Sequence, residues 1–160
     1  MDGDEFIIKV KIAQMTGCWP SCNDCEHYAH GENEMSGLFP NLMVDDMIET
    51  LSFYEGIGFS IVTKLPVENP IWALLELDGV KLMLQSRGSL CEEFPILAEQ
   101  SSGGALTLWI SNSNVKSLYK KAQFRSEVIK PIGITEYNGA TEFVLKDPNG
   151  FILHFSDFLL

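Results

Sequence analysis

The sequence predicts an α+β fold built from two repeated β-α-β-β-β modules. Three observations lead there. The same order of strand-like and helix-like segments occurs twice. Asp46 and Asn114 hold equivalent places before the two helices, about 70 residues apart, as duplication of one unit requires. Each module also closes with a pair of strand-like runs joined through turn residues, Asp78-Gly79 in the first and Asp147-Pro148-Asn149-Gly150 in the second.

The chain opens on an alternating run from Asp4 to Ile12, with Phe6, Ile8, Val10 and Ile12 on one side and Lys9 and Lys11 on the other. Alternation of this kind marks a half-buried strand, here one that adds an edge to a sheet. Met15 to Gly37 follows with three of the four cysteines and little apolar periodicity, so it reads as an irregular arm. The composition changes near Gly37, which divides the chain into an arm of residues 1–37 and a domain of residues 38–160.

In the domain, Phe39 to Val44 reads as a strand, and Asp46 with Glu49 has the spacing that satisfies free N–H groups at a helix start. Met47, Ile48, Leu51 and Tyr54 supply the apolar face, and Gly56 and Gly58 supply the left-handed conformation that ends the helix. Phe59 to Lys64, Trp72 to Leu77 and Val80 to Gln85 are the module's remaining strands. Arg87 to Gly104 is a linker, with a short helix within Ser89 to Glu99. The order then returns: Ala105 to Ser111 as strand, Asn114 as helix cap, and Val115, Leu118, Tyr119 and Ala122 as apolar face. Phe124 to Lys130, Ala140 to Lys146 and Phe151 to Ser156 complete the second module.

Hydrophobic residues make up 46% of the 160-residue chain and charged residues 21%, a globular composition. A formal charge of -11 opposes a phosphate backbone, which excludes nucleic acid and anionic membrane as expected partners. The first residues are acidic where a secretory signal is basic, and no apolar run approaches the roughly 18 residues of a membrane span. The expected location is cytoplasmic, where thiols stay reduced and Cys91 stays out of disulfides.

Val44-Asp45-Asp46 with Leu51-Ser52-Phe53-Tyr54 and Gly58-Phe59 resembles the opening of vicinal-oxygen-chelate proteins, the glyoxalase/bleomycin-resistance/dioxygenase superfamily. Asp147-Pro148-Asn149-Gly150-Phe151-Ile152-Leu153 resembles its closing hairpin, and together the two cover about three quarters of the chain. The resemblance implies curved mixed sheets around a ligand cavity, often completed across a homodimer. It also implies, for catalytic members, a divalent metal held from the first and last strands of both modules. Those positions fall near Phe39, Gln85, Thr107 and His154. Phe39 cannot bind a metal and Thr107 is a poor ligand, so the set is short of the three protein ligands a catalytic metal normally has.

The expected cavity lining is Trp72, Met83, Gln85, Trp109, Tyr137, Glu142 and His154. His154 shares a strand face with Ile152 and Ser156, and it is equally readable as a hydrogen-bonded structural histidine and as a polar anchor. Gln85 and Met83 divide in the same way between a filled interior and a pocket wall. The three aromatic residues could stack on a flat ligand, core packing being the commoner role for each. Glu142 lies on the opposite face from Phe143; facing solvent is its ordinary fate, and facing inward would make it a carboxylate for a cationic ligand or a base.

Cys18, Cys22 and Cys25 have the spacing of a radical-SAM cluster, but the chain has no room for the barrel such enzymes need. With His27 or His30 they could instead hold a structural zinc that orders the arm. Free thiols are the other reading, and Cys91 is expected as a small buried hydrophobe. The function expected is therefore binding of a small, partly aromatic molecule without catalytic metal. Two alternatives are a metal-dependent lyase, isomerase or dioxygenase of the same superfamily, and a zinc-stabilised protein-interaction arm on a scaffold domain.

Overall fold

The computed structural model describes residues 37–158; the strand expected at Asp4–Ile12 and the Cys18/Cys22/Cys25/His27/His30 cluster lie outside them. The first module runs β1 (Asn41–Val44), α1 (Met47–Ile57), β2 (Ser60–Leu65), β3 (Trp72–Leu77) and β4 (Val80–Ser86). A connecting segment carries α2 (Arg87–Glu93) and a 3-10 turn (Pro95–Leu97). The second module runs β5 (Thr107–Ser111), α3 (Val115–Ala122), β6 (Glu127–Ile134), β7 (Thr141–Lys146) and β8 (Ile152–Ser156).

Each module forms its own four-stranded mixed sheet, ordered β1-β4-β3-β2 in the first and β5-β8-β7-β6 in the second. The first strand pairs parallel with the last and the others pair antiparallel. Two copies of one topology confirm the repeat, and neither sheet closes on itself. Among the described residues, no helix is long and apolar enough to cross a membrane.

Local chemistry accounts for most boundaries. Asp46 caps α1 by accepting from the Glu49 N–H at 2.9 Å, and Gly58 ends the helix at φ +120°. Asp78 and Gly79 both have positive φ, as a two-residue turn with right-handed twist needs. Asn114 stands at the start of α3 without a side-chain cap bond; instead Asn112 Oδ1 accepts from the Asn114 N–H at 2.7 Å. In α1 the expected face is corrected at one position: Ile48 is exposed and Phe53 is buried in its place. Tyr54 at the centre of that face makes edge contacts with both Phe53 and Phe59, so the buried stripe follows the rings.

One apolar core joins the two modules. Leu42, Val44, Ala73, Leu75, Leu82 and Leu84 from the first sheet meet α1, and Ile110, Phe143, Leu145, Leu153 and Phe155 from the second meet α3, in a single cluster. The helices also contact each other. Each module's hairpin turn reaches the other module's strand-to-helix joint. Asp78 Oδ2 accepts from Asn112 Nδ2 at 2.7 Å, and Asn149 Oδ1 accepts from the Asp45 N–H at 2.9 Å. The opposite sheet faces therefore point away from the shared core, and they carry the expected site residues.

Candidate functional site

The face of the second sheet turned away from the core holds the chemistry. Parallel pairing sets Trp109 beside His154, and antiparallel pairing sets Val144 opposite His154 and Glu142 opposite Ser156. Residues one pair apart on a sheet face are within reach of long side chains. The His154 ring accordingly lies 4.1 Å from the Trp109 ring, centroid to centroid, and its Nε2 lies 3.2 Å from Glu142 Oε2 without the alignment of a hydrogen bond. Ser156 Oγ donates to Glu142 Oε1 at 3.1 Å.

Edge strand β6 adds a group that sequence reading missed. Irregular pairing between Val128 and Gly133 places Lys130 opposite Val144, where its ammonium reaches 3.6 Å from Glu142 Oε2. Pro131 inside this strand is compatible only with an edge or a bulge, and it was the available signal. Glu142 is 3% exposed although it faces away from the core, because these neighbours enclose it. Burial pushes its carboxyl up, but Thr135, His154 and Ser156 beside it outweigh that and hold it below its ordinary 4.5. The charged form is thus favoured by folding, and the associated stability is present above pH 4.5 and lost as pH falls through the lower folded value. Glu142→Gln should flatten that part of the acid-unfolding profile, as followed by circular dichroism from pH 6 to 3.

Trp109 is 46% exposed, so the arrangement is a half-open aromatic face over a buried carboxylate, with a lysine at its edge. Such a surface can stack a flat ring and orient it through few polar groups.

The first sheet differs. Gln85 is 1% exposed and fully engaged: its Oε1 accepts from Asn41 Nδ2 at 2.8 Å, and its Nε2 donates to Ser89 Oγ at 2.9 Å and Glu93 Oε2 at 3.1 Å. Ser89 and Glu93 belong to α2, which lies over this face and also brings Cys91 Sγ to 3.9 Å from Met43 Sδ. Trp72, paired across the strands with Gln85, is buried. Cys91 is a half-buried free thiol, more exposed than expected.

The structure thus divides the expected lining between two sheets and does not gather it into one cavity within the described chain. Trp109, Glu142 and His154 come together, and Trp72 and Gln85 come together under α2 with Met83 half-buried beside them. Tyr137 joins neither: it sits 93% exposed in the turn between β6 and β7. Strand pairing also corrects the internal equivalence. Asn41 and Trp109 each precede their helix cap by five residues, from 46 − 41 and 114 − 109. Asn41 pairs with Met83 and Trp109 pairs with His154, so Met83 is the counterpart of His154, and Gln85 is the counterpart of Ser156. The first- and last-strand positions are therefore Phe39, Met83, Thr107 and His154.

No family profile matches the chain, and no curated protein does. Solved structures do. A protein of unknown function from Agrobacterium tumefaciens is 22% identical with a TM-score of 0.65, covering 78% of this chain and 95% of its own. A bleomycin-binding protein complexed with bleomycin is 20% identical with a TM-score of 0.55, covering 78% and 99%. A glyoxalase-related enzyme from Fulvimarina pelagi is 20% identical with a TM-score of 0.58, covering 76% and 87%. The chain has the fold of the glyoxalase/bleomycin-resistance/dioxygenase proteins, with its two repeated modules.

Proposed function

We propose that this protein binds a small, partly aromatic molecule on the open face of its second sheet, without a catalytic metal. One observation carries the reading: a half-exposed Trp109 laid against His154, with the buried Glu142 behind it. The bound bleomycin in one of the similar structures supports small-ligand binding in this fold. The donor set supports the metal-free form. Of the four first- and last-strand positions only His154 offers a strong ligand, and Glu142, the nearest carboxylate, already faces the Lys130 ammonium, which would repel a divalent cation. Among the described residues no three His, Cys, Asp or Glu side chains cluster.

The open face also supports a homodimer. A second copy would cover the exposed Trp109 and complete a cavity that one chain leaves half-built. Sedimentation should then give a mass near twice 17.9 kDa. The location proposed is the cytoplasm. Zinc on the arm's Cys18, Cys22, Cys25 and His27 or His30 would be a separate, structural matter.

The test is a fluorescence and calorimetric screen of flat aromatic compounds, beginning with bleomycin, together with metal analysis of the purified protein. Trp109→Ala and His154→Ala should each weaken a ligand so found by about 1–3 kcal/mol, through lost stacking and a lost buried polar contact respectively, with core metal content unchanged. A chain lacking residues 1–37 that keeps about one tightly bound Zn²⁺, Fe²⁺ or Mn²⁺, released by His154→Ala together with an isomerase or dioxygenase activity, would replace this reading with the enzyme one. Metal lost with the arm would favour the zinc-stabilised arm.

A further inference from the structure

A second concavity lies on the helix side of the second module, away from Trp109. It has a volume of about 370 Å³ and is lined by Tyr119, Ile132, Ile134 and Thr141, with Gly133 between the isoleucines and Lys116 and Lys120 at its rim. Its origin is in the lengths of the elements. Helix α3 has 8 residues against 11 in α1, while its partner edge strand β6 has 8 against 6 in β2, so the end of β6 projects past the helix that should cover it. Ile134 is consequently exposed. A volume of this size falls within the range of small-molecule pockets, about 300–1,000 Å³.

The charge around it is the reverse of the protein's. The chain carries -11, yet Gln100 to Ser126 has no acidic residue and four basic ones, Lys116, Lys120, Lys121 and Arg125. Lys121 and Arg125 are committed elsewhere, with Lys121 Nζ against Gly58 and the Arg125 side chain across Gly56 at the end of α1. Lys120 borders the concavity, and Lys116 is shared between it and Asp157. At i and i+4 on one helix they share a face, and both are exposed. Lys116 also faces Asp157, which lines the adjoining polar depression with Ser113, Asn114 and Ser117. Among the described residues, neither Lys116 nor Lys120 makes an ion pair within 4 Å.

We infer that this concavity is a binding site for a small monocarboxylate with an apolar body. The tail or ring lies on Tyr119, Ile132 and Ile134, and the carboxylate meets the Lys120 and Lys116 ammonium groups on the side away from Thr141, whose N–H is held by Asp157 at 2.7 Å. Two lysines supply point charges rather than a planar fork, which suits a single carboxylate free to choose its approach. The site is independent of the Trp109 face and stands whatever binds there.

The experiment is a titration of the full chain with octanoate, followed by ¹H–¹⁵N and methyl NMR, in parallel with octanamide as its uncharged match. Octanoate should shift the resonances of Ile132, Ile134 and Thr141 and leave Trp109 and His154 unmoved. Octanamide should bind the same residues about tenfold more weakly, and the gap should narrow as salt rises. The double variant Lys116→Gln/Lys120→Gln, confined to exposed side chains, should bring octanoate down to the amide's affinity, whereas Lys121→Gln should not. Equal affinity of acid and amide, shifts centred on Trp109 and His154, or no shifts at millimolar octanoate would each overturn the inference.

Discussion

Asp147→Ala is expected to cost about 2–4 kcal/mol, enough to remove a large fraction of a small domain's stability. Asp147 is buried at the start of the β7–β8 turn, and its carboxylate is the acceptor for three donors. Tyr54 Oη donates to Oδ2 at 3.1 Å, and the N–H groups of Asn149 and Phe151 donate to Oδ1 at 2.9 and 2.8 Å. Alanine leaves all three without a partner, and two of them, Tyr54 and Phe151, belong to the core. Tyr54→Phe, which removes one donor and leaves the turn intact, should cost only about 1 kcal/mol. Urea unfolding of the two variants beside the parent checks the ordering. A loss in Asp147→Ala no larger than in Tyr54→Phe would mean that the turn holds its shape without the carboxylate.

The same residue has a pH signature opposite to that of Glu142. Burial pushes the Asp147 carboxyl up from 3.8, more than its hydrogen bonds pull it down. Between the unfolded and the raised folded value the native state therefore binds more protons, and this residue's share of stability falls as pH rises through that window. The Glu142 share rises with pH in its own, lower window. The parent's acid-unfolding profile also carries the lowered Asp45 and Asp157 carboxyls, and each variant should remove its own component.

How much of this was legible in the sequence follows from which physics acts locally. Helix starts at Asp46, hairpin turns at Asp78-Gly79 and Asp147 to Gly150, and strand faces such as Leu153/Phe155 against His154/Ser156 are set by neighbours a few residues away, and they read correctly. The strands of the second module are each recognisable, but β6 runs to Ile134, past the expected end at Lys130, because an irregular edge around Pro131 breaks alternation. The site was half legible. Trp109 and His154 were each read as lining residues, and the pairing of β5 with β8 is what sets them side by side. Lys130 came from a bulge, and the enclosure of Glu142 came from β6, the turn after it and β8 together, neither of which leaves a periodic trace. Gln85, expected either in a filled interior or on a pocket wall, is decided by a tertiary event in the linker: α2 folds back over the first sheet and occupies its polar groups. Tyr137 had the right chemistry in a turn that carries it into solvent.

Gly103→Ala should be the most damaging single-methyl change among the described glycines, at about 2 kcal/mol or more. A Cβ at Gly103 would lie 2.5 Å from the Asn149 carbonyl oxygen and 2.6 to 2.7 Å from the backbone of Gly150, with no flexible side chain able to give way. The crowding exists because three segments meet at this point. The linker passes over the β7–β8 turn; Asn149 in that turn accepts from the Asp45 N–H and donates to Thr50 Oγ1 at 2.9 Å; and Arg87 ties the linker back by donating to the Gln100 carbonyl and Ser102 Oγ, both at 2.8 Å, and to Asp45 Oδ1 at 2.6 Å. A methyl group there pushes the linker off the turn and loosens the bonds by which the second module holds the start of α1. Gly104→Ala is the discriminating control. Gly104 has φ +109° and open space where a Cβ would go, so alanine there meets only the backbone penalty, about 1 kcal/mol. If unfolding midpoints fall further for Gly103→Ala than for Gly104→Ala, close packing of the linker on the turn is what holds the seam between modules; the reverse order would place the cost in backbone conformation and sink this account of the seam.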